Sequence, residues 1–260
     1  MILKALSLVY HATLSRDPQR RYESRFELLG AVAYRLGFEL YNRNLYWPDD
    51  DGYRSAWQQF RPGDPQIKDR KFVLYSMARA LSSLPGDTAE CGVFDGGSSF
   101  LMCLPWEGSS EHHHHVFDSF EGLSKPEDAD LPEDPTAYLW QAHDLAVPLE
   151  TVKRNLRRFD FVRYYPGWIP ERFGEVADRR FSFVHVDVDL FQPTYDAVAF
   201  FYPRMVPGGI ILCDDYGSTI CPGARKAFDD AVRGTPEGRV IELTTGQGFI
   251  VKRGGDIEPG

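Results

Sequence analysis

Apolar and polar positions change rhythm several times along the chain. Residues 1 to about 45 read as helical, with apolar patches in "RFELLGAVAYRLGFEL". A polar, aromatic stretch, "NRNLYWPDDDGYRSAWQQFRPGDPQ", reads as loop with a short helix. In "IKDRKFVLYSMARALSSLPGD", Val73, Met77, Ala80, Leu81 and Leu84 recur at helical spacing, and Pro85-Gly86 stops the helix. From there strand-like and helix-like runs alternate. "TAECGVF", "HVFDSF", "FVRYYPGW", "FSFVHVDVDLF" and "GGIILCDDY" predict strands. "GGSSFLMCL", "PLETVKRNLRRF", "PTYDAVAFFYP" and "PGARKAFDDAVR" predict helices, the last with Ala224, Ala227, Phe228 and Ala231 on one face.

Strands separated by helices imply a parallel sheet covered on both sides. The ending "RVIELTTGQGFIVKR" has two strand runs joined by a Gly-containing turn and predicts an antiparallel hairpin at the sheet edge. We therefore expect an N-terminal helical extension over residues 1–66 and an α/β domain over residues 67–255. Residues 123–147 include "LSKPEDADLPEDPTAYLWQAHD", a Pro- and acid-rich segment suited to a lid-like surface insertion.

In open parallel sheets, ligands bind outside the carboxyl ends of the strands. Four of the five predicted strand ends carry acids: Glu90, Asp118, then Asp187 with Asp189, then Asp214 with Asp215. Glycines after the first strand allow close backbone approach to a ligand, and an acid ending the second can accept hydrogen bonds from a ribose. The dinucleotide fingerprint G-x-G-x-x-G is absent, because "ECGVFDGG" has Phe94 at its second glycine, and there is no Walker lysine. A nucleoside without a pyrophosphate is favoured, and a nucleotide-binding oxidoreductase is the weaker alternative. Asp187, Asp189, Asp214 and Asp215 offer oxygen ligation suited to Mg²⁺, Mn²⁺ or Ca²⁺. In an extended strand Asp187 and Asp189 share a face with Cα atoms roughly 6.6 Å apart, which favours one as ligand and the other as base.

Composition narrows the field. The chain has 260 residues, 43% of them hydrophobic, and a net charge of −9. The negative balance argues against nucleic acid and against an anionic membrane as partners. The apolar part of "MILKALSLVYHATL" is too short to span a bilayer. Cys91, Cys103, Cys213 and Cys221 form no C-x-x-C pair and read as reduced, buried thiols, which suits a cytoplasmic protein. "EHHHH", residues 111–115, is expected in an exposed loop, and His185 is expected to be a hydrogen-bonded core histidine or a support for the acids beside it. Arg20, Arg21 and Arg25 read as a solvated helix face. Tyr41, Tyr46, Trp47, Tyr53 and Trp57 are candidates for an acceptor pocket or an oligomer contact.

The pieces "ECGVFDGGSS", "VFDSFEGL", "PGW", "HVDVDLFQPTYDAV", "YPRMVPGGIILCDDY" and "GQGFIVK" occur in an order that resembles the macrocin O-methyltransferase family. The resemblance covers roughly residues 70–252. It implies a class I methyltransferase fold, Rossmann-like, with a mostly parallel seven-stranded sheet. It implies Mg²⁺-dependent transfer of a methyl group from S-adenosylmethionine to a natural-product sugar or phenol hydroxyl, with Mn²⁺ as a substitute metal, in a homo-oligomer acting on a small-molecule acceptor. Glu90, Cys91, Gly92 and Ser98 would lie along the cofactor's methionine part, with Asp187 at its edge. Asp118 would hold the ribose, Ser119 and Phe120 would flank the adenosine, and Trp168 would lie beside the adenine. Asp187, Asp214 and Asp215 would bind the metal, and Asp189 would be the general base. Asp95 stands where the family commonly has a basic residue, and Val188 where it often has glycine.

Overall fold

The structure, a computed structural model, describes residues 2–37 and 50–254, apart from residues 65, 67, 135 and 237. Tyr41, Tyr46 and Trp47 lie outside the described residues, as does the end of the predicted helical region. The chain packs as two compact units, Met1–Arg54 and Ser55–Gly260.

In the first unit, α1 (Ile2–Leu14) packs on α2 (Pro18–Arg35). Arg25, on the predicted solvated face, donates its Nε–H to the Ala12 carbonyl at 2.9 Å. The helix α3 runs from Asp51 to Phe60.

The second unit is a seven-stranded sheet. Its strands are β1 (Asp87–Cys91), β2 (His114–Asp118), β3 (Val162–Pro166), β4 (Phe181–Val186), β5 (Met205–Cys213), β6 (Ile241–Glu242) and β7 (Gly248–Val251). They lie in the order β3-β2-β1-β4-β5-β7-β6. β1 to β5 are mutually parallel, and β7 is antiparallel to both β5 and β6, as the terminal hairpin predicts. Every residue of β1 and β4 is buried, which explains their nearly unbroken apolar runs: helices cover both faces. These helices are α4 (Asp69–Leu81), α5 (Gly97–Cys103), α6 (Leu149–Asn155), α7 (Phe191–Phe201) and α8 (Pro222–Val232). Pro222 opens α8 at a first-turn position that has no backbone N–H to satisfy.

Between β1 and β4 the order of succession reverses. That is the switch point at which flanking loops part and leave a crevice. Below it, Phe117 stacks on Tyr165 at 4.5 Å and meets Phe173 edge-on at 5.0 Å, while Phe181 meets Phe201 at 4.9 Å. Burying each such ring contributes about 1.5–3 kcal/mol.

Three expectations are corrected. In α4 the buried residues are Leu74, Tyr75, Ala78 and Leu81, so the core face is rotated from the Val73–Met77–Ala80 stripe. Several alternative apolar positions in this segment satisfy the same spacing, and packing selects among them. The strand predicted through "VDVDLF" stops at Val186. The histidine tract is not an exposed loop: His114 and His115 open β2, and His112, His114 and His115 are all buried. Polar partners make this possible. His114 is bonded to Thr88 Oγ1 at 2.8 Å and Ser99 Oγ at 2.9 Å, His112 to Thr88 at 3.1 Å, and His115 to Asp87 at 3.0 Å and Tyr165 at 2.9 Å. All four cysteines are buried and free, as expected.

Burial lowers His112 to about 4, despite the opposing pull of Asp87. The unfolded chain therefore takes up a proton near pH 6.5 that the folded protein refuses, and His112 removes stability as pH falls from 6.5 towards 4. We expect His112→Phe to be less stable than wild type at pH 7, through loss of the Thr88 bond. That deficit should shrink by about 2 kcal/mol at pH 5, measured as the difference in urea unfolding free energies.

Candidate active site

The site is built where β1, β2, β4 and β5 end. β1 runs into a loop in which Gly92 adopts φ +80°. A Cβ there would run into the carbonyl of Asp187, so glycine is required by the approach of the two strand ends. Asp187 N–H in turn donates to the Cys91 carbonyl at 2.9 Å. The loop is also tied to β2: Asp118 Oδ2 accepts the Val93 N–H at 2.7 Å, and Oδ1 accepts the Phe120 N–H at 2.6 Å. Phe94 and Phe120 are held at φ +47° and +58°. Asp95 pairs with Arg61, which supplies a basic group next to this turn from another segment, and caps the Gly97 N–H at 3.1 Å.

Past β4 the chain turns sharply. Leu190 N–H reaches back to the Val188 carbonyl at 2.6 Å, and Asp189 sits at φ +61°. The extended spacing assumed for Asp187 and Asp189 therefore does not hold, and the left-handed residue aims the two carboxylates into one region. Such strained non-glycine residues concentrate at functional sites. The nearest groupings pair Asp187 with Asp214 and His185, and Asp189 with Asp215 and Cys221, each set with ligand atoms within 4.8 Å of one another.

Asp214 is held firmly. Its Oδ1 accepts from Gln247 Nε2 at 2.6 Å and meets His185 Nε2 at 3.2 Å. The other ring nitrogen of His185 meets Glu90 Oε1 at 2.9 Å, and Glu90 also accepts from Ser99. Burial opposes a charged imidazole, but hydrogen bonds to Asp214 and Glu90 push His185 up to about 10, which favours the imidazolium form. The two readings of His185, core histidine and support for the acids, coincide. Asp214 is correspondingly held far below the usual carboxylate range, against desolvation, by Lys71, His185 and Arg70. Burial, then Asp187, pushes Asp189 up to about 7, and burial among the other acids raises Asp215 as well.

Two cavities meet here. One, of about 310 Å³, is lined by Gly92, Phe94, Asp118, Ser119, Trp168 and Gln192, among others. The other, of about 470 Å³, is lined by Lys68, Arg70, Lys71, Trp140, Asp214 and Asp215, among others. Asp187 and Asp189 line both. Of the expected cofactor residues, Gly92, Asp118, Ser119, Trp168 and Asp187 line the first cavity. Glu90, Cys91, Ser98 and Phe120 line neither. Glu90 is fully buried and committed to Ser99 and His185, and Ser98 Oγ accepts from Lys71 Nζ.

The expected metal ligands Asp187, Asp214 and Asp215 do not fall in one grouping, since Asp215 lies with Asp189 and Cys221 and not with Asp187 and Asp214. The carboxylates are oxygen donors of the kind a hard divalent cation takes, and Asp215 Oδ2 is buried with no hydrogen-bond partner. Cations of the chain itself lie among them. Arg70 Nη2 pairs with Asp214 and lies 3.0 Å from Asp215 Oδ1, and Lys71 Nζ lies 3.8 Å from Asp187 Oδ2. Neither was singled out from the sequence; the adjacent charges at the start of a helix preceding β1 are the only signal for them.

The insertion is docked rather than merely solvated. Asp130 is buried and accepts the Phe191 N–H at 2.6 Å and the Glu127 N–H at 2.9 Å. Trp140 donates its Nε1–H to Cys221 Sγ at 3.3 Å, and Cys221 lies 3.5 Å from Asp189 Oδ1. His143 turns its ring to the Glu121 carbonyl at 3.0 Å.

The family model described as Macrocin-O-methyltransferase (TylF) matches residues 75–237. The chain is 36% identical over 148 residues to the 8-demethyl-8-(2,3-dimethoxy-alpha-L-rhamnosyl)-tetracenomycin-C 4'-O-methyltransferase of Streptomyces olivaceus, covering 54% of this chain and 57% of that one. It is 34% identical over 156 residues to the mycinamicin III 3''-O-methyltransferase of Micromonospora griseorubida, covering 56% and 61%. The match thus spans about three-fifths of these curated relatives. Among solved structures, the O-methyltransferase NovP superposes with a TM-score of 0.57 at 26% identity, covering 70% of this chain and 79% of that one. CalS11, a calicheamicin methyltransferase, gives 0.59 at 17% identity over 94% and 95%, a likeness of fold.

Two glycines separate backbone strain from collision. Gly234 has φ +83° with nothing within 4 Å of an added Cβ, whereas Gly92 meets a backbone carbonyl. We expect Gly234→Ala to cost about 1–2 kcal/mol and Gly92→Ala at least about 3 kcal/mol in urea unfolding.

Proposed function

The chain belongs to the Macrocin-O-methyltransferase family, and from that premise we propose that it transfers a methyl group from S-adenosylmethionine to a hydroxyl of a small natural product, with a sugar hydroxyl favoured over a phenol or catechol. The observation that carries this reading is the shared wall: Asp187 and Asp189 face both cavities, so a donor in one and an acceptor in the other would meet at these carboxylates. The relatives' names support the sugar, since one is named for a rhamnosyl-bearing tetracenomycin.

In this reading the first cavity takes the cofactor. Asp118, both of whose oxygens already accept one backbone N–H, keeps lone pairs for the ribose hydroxyls. Ser119 and Trp168 line the same space beside the adenosine. Glu90 acts at one remove, by fixing His185, rather than by touching the cofactor.

The second cavity takes the acceptor. Asp187, Asp214 and Asp215 are the residues that would hold a Mg²⁺ or Mn²⁺ ion. Such an ion, when bound, supplies Lewis-acid polarisation of the acceptor hydroxyl. Asp189 takes the hydroxyl proton as general base. Its carboxyl, raised to about 7 by burial and Asp187, is a stronger base than an ordinary aspartate. Trp140 and Ile220 offer apolar surface against which the acceptor can be oriented. Orientation of donor and acceptor across the Asp187–Asp189 wall then supplies much of the acceleration.

A mass-spectrometric screen of glycosides and phenols should find products heavier by one methyl group, with S-adenosylhomocysteine as co-product. Asp189→Asn should lower kcat by about 10²–10⁴-fold while S-adenosylhomocysteine still binds in calorimetry. EDTA should abolish turnover and Mg²⁺ should restore it. Full activity in EDTA would remove the metal from the scheme, and unchanged turnover in Asp189→Asn would remove the base.

A further inference from the structure

We propose that Arg70 is a tethered competitor for the divalent-cation position at Asp214 and Asp215, one that must withdraw before the ion can bind. The inference rests on the metal reading of those acids given above.

The two oxygens of Asp214 are treated differently. Oδ1 is held from the buried side by His185 and Gln247, both fully buried residues. Oδ2 is met by Arg70, and both residues line the second cavity. Arg70 reaches it from the first turn of α4 with a side chain 36% exposed, against 6% for Asp214 and 9% for Asp215. The guanidinium therefore has a path to solvent that leaves the helix intact, whereas the imidazolium and the amide have none.

The contact is also a poor use of an arginine. A guanidinium recognises a carboxylate best as a fork, with two nitrogens on two oxygens. Here Nη2 alone meets Asp214 Oδ2, Asp215 Oδ1 at 3.0 Å and the Asp214 carbonyl at 2.7 Å. It behaves as a point charge shared among several oxygens, which is the geometry of a bound cation. The mismatch leaves a buried polar atom unsatisfied on each partner, Nε of Arg70 and Oδ2 of Asp215. A buried ion pair that is an end in itself satisfies such atoms, because the desolvation cost is otherwise not recovered. An oxygen-seeking divalent ion held by these acids would compete with Arg70 for the oxygens that Nη2 meets, while Asp215 Oδ2 remains without a protein partner. Arg70 thus neutralises the acids without satisfying all of their oxygens.

The test needs neither cofactor nor acceptor. Full-length wild type, Arg70→Ala and Arg70→Lys, stripped with EDTA and exchanged into chelator-free buffer, are titrated with MnCl₂ by calorimetry. Arg70→Ala should bind Mn²⁺ on the order of tenfold or more tightly than wild type, with Arg70→Lys between them. In EDTA the alanine variant should melt below wild type, and saturating Mn²⁺ should raise its melting temperature by more than it raises that of wild type. Equal or weaker Mn²⁺ binding by Arg70→Ala, while wild type binds and Asp214→Asn does not, overturns the role of Arg70 alone. Where Arg70→Ala does not fold, Arg70→Lys decides in the same way: no gain in affinity overturns the proposal. Absence of Mn²⁺ binding to every protein, to millimolar concentration, overturns the metal reading and this inference with it.

Discussion

A positive charge sealed inside the sheet governs the geometry of everything above it. His185 lies on β4 between Glu90 of β1 and Asp214 at the end of β5, fully buried, and its charged form is favoured because those two carboxylates grip it. An isolated ion there would cost several kcal/mol, so the three groups stand or fall together. Ser99 and His114 extend the chain of bonds from Glu90 to Thr88 and His112 at the start of β2. A polar thread thus crosses four neighbouring strands and ends on Asp214. Its consequence is division: one oxygen of Asp214 is committed to His185 and Gln247, and the other is left to Arg70.

The sheet was legible because burial on both faces writes itself as continuous apolar runs, and the acids at the strand ends were legible because they interrupt those runs. Asp118 lines the first cavity, Asp214 and Asp215 the second, and Asp187 and Asp189 both. What the sequence did not reveal depends on backbone turns and on long-range partners. The turn that brings Asp189 towards Asp215 rests on a left-handed aspartate, and no residue type signals that. "EHHHH" reads as an exposed loop from its place between a helix and a strand; Thr88, Ser99 and Asp87 are far away in sequence and make the burial of its histidines tolerable. Glu90 looked like a ligand-facing acid, yet it points to His185. Arg70 and Lys71 precede β1 by more than a helix and reach the site only through the fold.

The acidic insertion takes on a different meaning from its composition. Asp130 holds the first N–H of α7, two residues past Asp189, and leaves no room for a side chain at Gly223. Trp140 touches Asp189 from the other direction through Cys221. The segment reads as a solvated loop because it is rich in Pro and acid, but two side chains anchor it on either side of one aspartate. Insertion and turn therefore form one mechanical piece.

The wall between the two cavities has an evolutionary reading. Among the described residues they share no lining residue beyond Asp187 and Asp189: the first draws on the ends of β1 and β2, the insertion and the start of α7, the second on the start of α4, Trp140, Ser218, Ile220 and Cys221. Mutations at Lys68, Ser218 or Ile220 can reshape one chamber without touching a residue that lines the other. A lineage built this way can change the shape and charge of one chamber by substitution while the walls of the other stay as they are.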